Sequence, residues 1–115
     1  MRPRDPRVSL ADALVAGETI QEFLLGKSLG DYSADRLLSS GVERQFEIIG
    51  EALARAVRAD ASLAGRLPEA ADVIGFRNVL AHGYDAVSDL LVWSIAHEKL
   101  PHLLARLRQL LTEMS

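Results

Sequence analysis

From Trp93 to Leu110 the apolar residues fall three and four apart: Trp93, Ala96, Leu100, Leu103, Leu107 and Leu110. That spacing draws a stripe down one side of a helix, and a stripe this long has to be covered by other helices. The rest of the chain offers the covers. Leu10, Ala13, Leu14, Gly17, Ile20 and Leu24 repeat at helical spacing, as do Leu38, Val42, Phe46, Ile49, Leu53 and Ala56. Ala70, Val73, Ile74 and Leu80 make a third, shorter stripe. Ala, Leu, Glu and Arg dominate and β-branched runs are short, which favours helix throughout. The expectation is an all-α fold, an antiparallel bundle of four to five helices with short loops.

Helix boundaries follow from capping chemistry. Ser9 followed by Asp12 predicts a capping box opening the first helix, and Gly26 a left-handed stop after it. Ser33 is a candidate cap for the second helix, whose first turns at "SSG", 39–41, are weak helix material; it should end near Asp60. Pro68 and Glu69 suit the first turn of a third, with Gly83 to end it. The last helix opens between Asp85 and Ser88, and Pro101 should kink it in the preceding turn.

The 115 residues are the size of one domain, and with 49% hydrophobic residues they can bury a core unaided. Cysteine is absent, which excludes disulfides and thiolate chemistry. Two prolines in "MRPRDPRVSL" predict a mobile arm over residues 1–7, and no apolar core follows to make a signal peptide. No apolar run approaches the ~18–20 residues of a spanning helix. A cytoplasmic protein without a membrane partner is expected. The net charge of −3 argues against a broad duplex-DNA surface and leaves room for a focal phosphate site.

One stretch departs from the apolar pattern: "FRNVLAHGYD", Phe76 to Asp85. Arg77 falls near the third stripe, where a core residue is expected; it is either a snorkelling side chain or a placed cation. Asn78 disfavours a helix interior and suits a role near a helix end or against a phosphate. His82, just before Gly83, either caps the helix or moves a proton near neutral pH. Tyr84 follows in the turn, as a packing residue or a contact to phosphate. His82 lies ~140° round an ideal helix from Arg77, so the two converge only past a helix end or across a subunit interface. Arg44, Glu47 and Glu51 are spaced three and four apart, which makes either a solvated ion-paired face or a support for Arg77.

Metal and cofactor signals are missing. His97 and His102 are five apart, not four, and no HExxH, phosphate-cradling glycine loop or GxSxG elbow occurs.

Taken together, "FRNVLAHGYD" resembles the signature of the HepT-like branch of the HEPN superfamily, small helical toxins paired with minimal nucleotidyltransferase antitoxins of the MntA type. The superfamily motif is an arginine, four to six residues, then a histidine; Arg77 and His82 fit it with four between. Asn78 matches the polar residue after the arginine, and Tyr84 the tyrosine two past the histidine. "VERQFEIIGEAL" (Val42 to Leu53) and "LLVWSIAHEKLPHLLARL" (Leu90 to Leu107) are similar to further helices of the family, so the likeness runs from about Leu10 to Leu111.

The resemblance implies a metal-independent endoribonuclease, active as a homodimer whose two motifs line a shared cleft. It gives His82 acid–base work and Arg77 phosphate binding, with Asn78 in support. It further implies an RNA substrate, a nucleotidyltransferase antitoxin as partner, and adenylylation of Tyr84 as the silencing step. A different class stays open from the residues alone: a catalytically silent helical partner of the nucleotidyltransferase that only holds nucleotide or RNA at this site.

Overall fold

Asp5 accepts the Arg7 backbone N–H through Oδ1 at 2.9 Å, and Pro6 fills the first turn, where a missing N–H costs nothing. Helix α1 (Pro6–Leu24) therefore starts at Pro6, ahead of the Ser9–Asp12 start expected from sequence. In the computed structural model, which describes residues 5–81 and 88–115 with the side chains of 77–81 left aside, Pro6 and Arg7 belong to this helix rather than to an arm. Ser9 lies inside α1, 1% exposed, and caps nothing. The helix ends at Leu24, and Gly26 turns the chain at φ +73, as its sequence position predicts.

Ser28, not Ser33, supplies the next cap. Its Oγ accepts from Asp31 N while Asp31 returns the bond to Ser28 N, a full capping box on the short α2 (Leu29–Ala34). Asp35 then caps α3 (Arg36–Ala59), which runs unbroken through Ser39, Ser40 and Gly41 to Asp60. The Phe23 ring lies against Gly41, so the glycine serves close packing there. A four-residue helix, α4 (Leu63–Arg66), precedes α5 (Ala70–Ala81) and has no counterpart in the apolar periodicity. Pro68 and Glu69 stand just before α5; both Glu69 oxygens accept from Arg106 Nε, at 3.0 and 2.8 Å.

The C-terminal helix comes in three pieces: α6 (Asp89–Ser94), a π turn (Ile95–Lys99) and α7 (Leu100–Met114). Ser88 caps α6, its Oγ accepting from Leu91 N. The π turn explains how Pro101 is tolerated. Proline has no N–H for the carbonyl four residues back, and its ring crowds that carbonyl. Just before it, Leu100 N–H reaches Ile95 O, a five-residue span that widens the turn. The irregularity expected in the turn before Pro101 takes this form.

α1 lies antiparallel to α7. Arg7 reaches the Met114 carbonyl at one end, and Glu18 pairs with Arg108 at 3.1 Å further along. α5 also runs antiparallel to the C-terminal helix, with Glu69 on Arg106 and Asp72 at 3.5 Å from Lys99. α1 and α3 are antiparallel too, Phe23 meeting Gly41 and Asp12 sharing a groove with Arg55. One core unites them: Leu10, Ile20, Phe46, Ile49, Leu53, Leu100, Leu103, Leu104 and Leu107 are fully buried. No described helix is long and apolar enough to cross a membrane.

Two glycines in helices set opposite expectations. A Cβ on Gly17 would run into Leu104 Cδ2 and press on Leu100 Cδ1 at 3.3 Å, inside a filled core. Gly17→Ala should cost about 1–3 kcal/mol although alanine is the better helix former. Gly75, exposed in α5, has nothing within 4 Å of such a Cβ, so Gly75→Ala should gain ~0.5–1 kcal/mol. Urea denaturation of both variants measures the pair; loss at Gly75 or gain at Gly17 would contradict the packing.

Candidate active site

The segment that carries Arg77 is held by α5. Among its described side chains Ala70, Val73 and Phe76 are buried, and the Phe76 ring meets Phe46 of α3 edge-on at 5.2 Å. This contact fixes the rotation of α5 against α3. The apolar periodicity had passed over Phe76, which is buried directly beside Arg77 in sequence. Arg77 stands one turn after Val73 and two after Ala70, so its position on α5 shares their face. The backbone of Arg77 and Asn78 is helical. His82 and Tyr84 lie outside the described residues.

Around the start of α6, the described carboxylates form an acidic corner. Burial pushes the Glu43 carboxyl above its ordinary range, and the charges of Asp89 and Glu47 push it further. Tyr32 of α2 is 1% exposed, and its hydroxyl has no hydrogen-bond partner among the described residues. Burial, then Glu43, then Asp89 raise the Tyr32 hydroxyl well above the usual phenol range. Glu43 sits four residues before Glu47 on α3, and Asp89 opens α6. Three carboxylates meet here, and Arg44 is the described cation beside them.

The three supporting candidates on α3 part company. Arg44 pairs with Glu47 at 3.2 Å. Glu51 pairs with Arg55 at 2.5 Å, and both line the groove between α1 and α3 with Asp12 and Val15. Glu47 thus shares the Glu43 and Asp89 corner, while Glu51 faces α1. Glu43 was open to sequence reasoning, being one helical turn from Glu47 on the same side. Tyr32 and Asp89 carry no local signal, because the packing of α2 on α6 brings them there. Among the described residues no group of three His, Asp or Glu is arranged to hold a metal ion.

Two substitutions test this corner. Tyr32→Phe removes a buried hydroxyl that has no described partner, so it should be neutral or stabilise by up to about 1 kcal/mol. A loss above that would show that the hydroxyl is bonded. For Glu43 the folded pKa is raised, so its contribution to stability is complete below the unfolded carboxylate range and is lost as pH rises through the folded value. Glu43→Gln should therefore be more stable than the parent at pH 7, by a few tenths of a kcal/mol after solvent screening, and equal to it near pH 3. Thermal unfolding across that range reads the difference, and a variant less stable at pH 7 would reverse the sign.

Comparison with known proteins bears on this geometry. Residues 13–110 match the family model described as "Ribonuclease HepT-like". The chain is similar to "Putative RNase MJ1380" of Methanocaldococcus jannaschii, 29% identical over 103 residues, covering 88% of this chain and 92% of that protein. It is likewise similar to "Putative RNase TTE0752" of Caldanaerobacter subterraneus subsp. tengcongensis, 27% identical over 108 residues, covering 94% and 96%. No solved structure gives a significant match.

Proposed function

Because the chain belongs to the HepT-like ribonuclease family, we propose that it is a metal-independent endoribonuclease, the toxin of a toxin–antitoxin pair, acting through Arg77 and His82. The observation that carries this reading is the extent of the family match: residues 13–110 include the whole of α5 and the motif at its end.

The chemistry asks for little. The ribose 2′-oxygen attacks the adjacent phosphorus, a new P–O bond forms, and the P–O5′ bond breaks. The products are a 2′,3′-cyclic phosphate and a 5′-hydroxyl. One proton leaves the 2′-hydroxyl and one reaches the departing 5′-oxygen; His82 moves protons here, alone or with the His82 of a second copy. Arg77 grips the non-bridging oxygens through its planar fork and offsets the charge that builds on phosphorus. Asn78 holds the phosphate or the guanidinium.

In this proposal the site is completed in a homodimer, with two motifs facing one RNA strand. The cognate nucleotidyltransferase silences it by moving AMP from ATP to the Tyr84 hydroxyl, with pyrophosphate as leaving group. The added phosphate then competes for Arg77 and excludes RNA.

Purified protein should cut single-stranded RNA in the presence of EDTA, and Arg77→Ala or His82→Ala should lower the rate at least about a hundredfold. Gel analysis of a labelled RNA, with both variants shown folded by circular dichroism, makes the measurement. Undiminished cutting by both variants would place the chemistry elsewhere.

A further inference from the structure

Three rings run in series from the core to the surface at the C-terminal helix. Buried Tyr32 lies 5.9 Å from Trp93, tilted by 49°, and Trp93 lies 4.1 Å from His97 at 33°. His97 belongs to the π turn, and its Nδ1 sits 2.8 Å from the Trp93 carbonyl oxygen. A carbonyl only accepts, so Nδ1 carries the proton. The ring is thereby fixed in both tautomer and tilt, with Nε2 on its far edge and no partner for it among the described residues. Trp93 covers one side of this imidazole, yet His97 is exposed. The series ends on an open π surface.

That surface stands on the wall of a groove of about 490 Å³, between the end of α1 and the π turn. Ile20, Leu24 and Pro101 give it an apolar lining; Gln21 and Lys27 stand with His97 as its polar groups. Lys27 forms no ion pair among the described residues, although its charge helps to lower the Asp31 carboxyl nearby. An amide offers both a donor and an acceptor to a base edge, an ammonium suits a phosphate, and an exposed ring at the end of a stack takes another ring.

We propose that this groove binds one nucleotide unit, its base stacked on His97, its edge met by Gln21 and its phosphate by Lys27. The unit belongs either to an RNA strand or to a free nucleotide. The RNA alternative rests on the ribonuclease reading, whereas nucleotide binding in itself does not.

Trp93 is the sole tryptophan, so its fluorescence reports on the stack directly. The full chain is titrated with AMP, with an uncleavable 2′-O-methyl RNA hexamer, and with ribose 5-phosphate, which has no base. Saturable quenching by AMP or the hexamer is expected, at concentrations where ribose 5-phosphate gives none. His97→Ala should raise the half-saturating concentration about tenfold, and His97→Phe, which keeps a ring, should stay close to the parent. A hexamer that saturates at lower concentration than AMP assigns the groove to the RNA strand; equal concentrations assign it to the free nucleotide.

No saturable quenching, quenching by ribose 5-phosphate as strong as by AMP, or an unchanged midpoint in His97→Ala overturns the proposal. RNA cleavage by the same preparation separates the two readings. Cleavage without quenching removes the groove and leaves the ribonuclease. Quenching without cleavage does the opposite.

Discussion

The close approach of α1 to the C-terminal helix at Gly17 is the constraint on which the other placements depend. With no Cβ at that position, Leu104 and Leu100 lie directly over the α1 backbone. A side chain there would have to displace the Leu104 terminus within the layer that holds Leu10, Ile20 and Leu107. α1 seated on α7 then presents its other side to α3, and α5 fills the space left between α3 and the C-terminal helix. Ion pairs from Glu69 and Asp72 to Arg106 and Lys99 sit along that last contact. The Asp72–Lys99 pair is exposed and contributes little energy, while Glu69, largely covered, helps to match the two helices in register.

A second constraint comes from Pro101. Its missing N–H turns an otherwise regular helix into two, joined by a π turn. The wider turn is what sets His97 against Trp93, with its Nδ1 on the Trp93 carbonyl. A feature that begins as a backbone problem thus ends as an ordered, exposed ring beside a groove. π turns gather at functional places for this reason: they re-aim a side chain without ending the helix.

The apolar stripes were legible in sequence. Val42, Phe46, Ile49, Leu53 and Ala56 are all buried, as are Leu100, Leu103, Leu107 and Leu110. Caps were less so. Ser9, Ser28, Ser33, Asp5 and Asp35 are all chemically able to cap, and the choice among them depends on where neighbouring helices allow the chain to turn. α4 is too short to show a period. At the candidate site, the sequence named Arg77, Asn78, His82 and Tyr84, and placed Arg77 near the stripe of Val73, Ile74 and Leu80. It did not name the cluster of Glu43, Asp89 and Tyr32. Those three come from α3, α6 and α2, and no local pattern records which elements meet.

Charge decides what kind of RNA contact such a chain can make. Of the described arginines, Arg7, Arg44, Arg55, Arg66, Arg106 and Arg108 each pair with a carboxylate of the same chain. With a net charge of −3 and most of the described arginines already matched, the described surface offers few free cations for neutralising many phosphates at once. On the proposed reading, recognition rests on a few placed groups: the Arg77 guanidinium for phosphate and ring surfaces on which bases stack. The proposed silencing by adenylylation follows the same charge logic. If, as proposed, one guanidinium carries most of the attraction for phosphate, a single phosphate added beside it offsets that attraction.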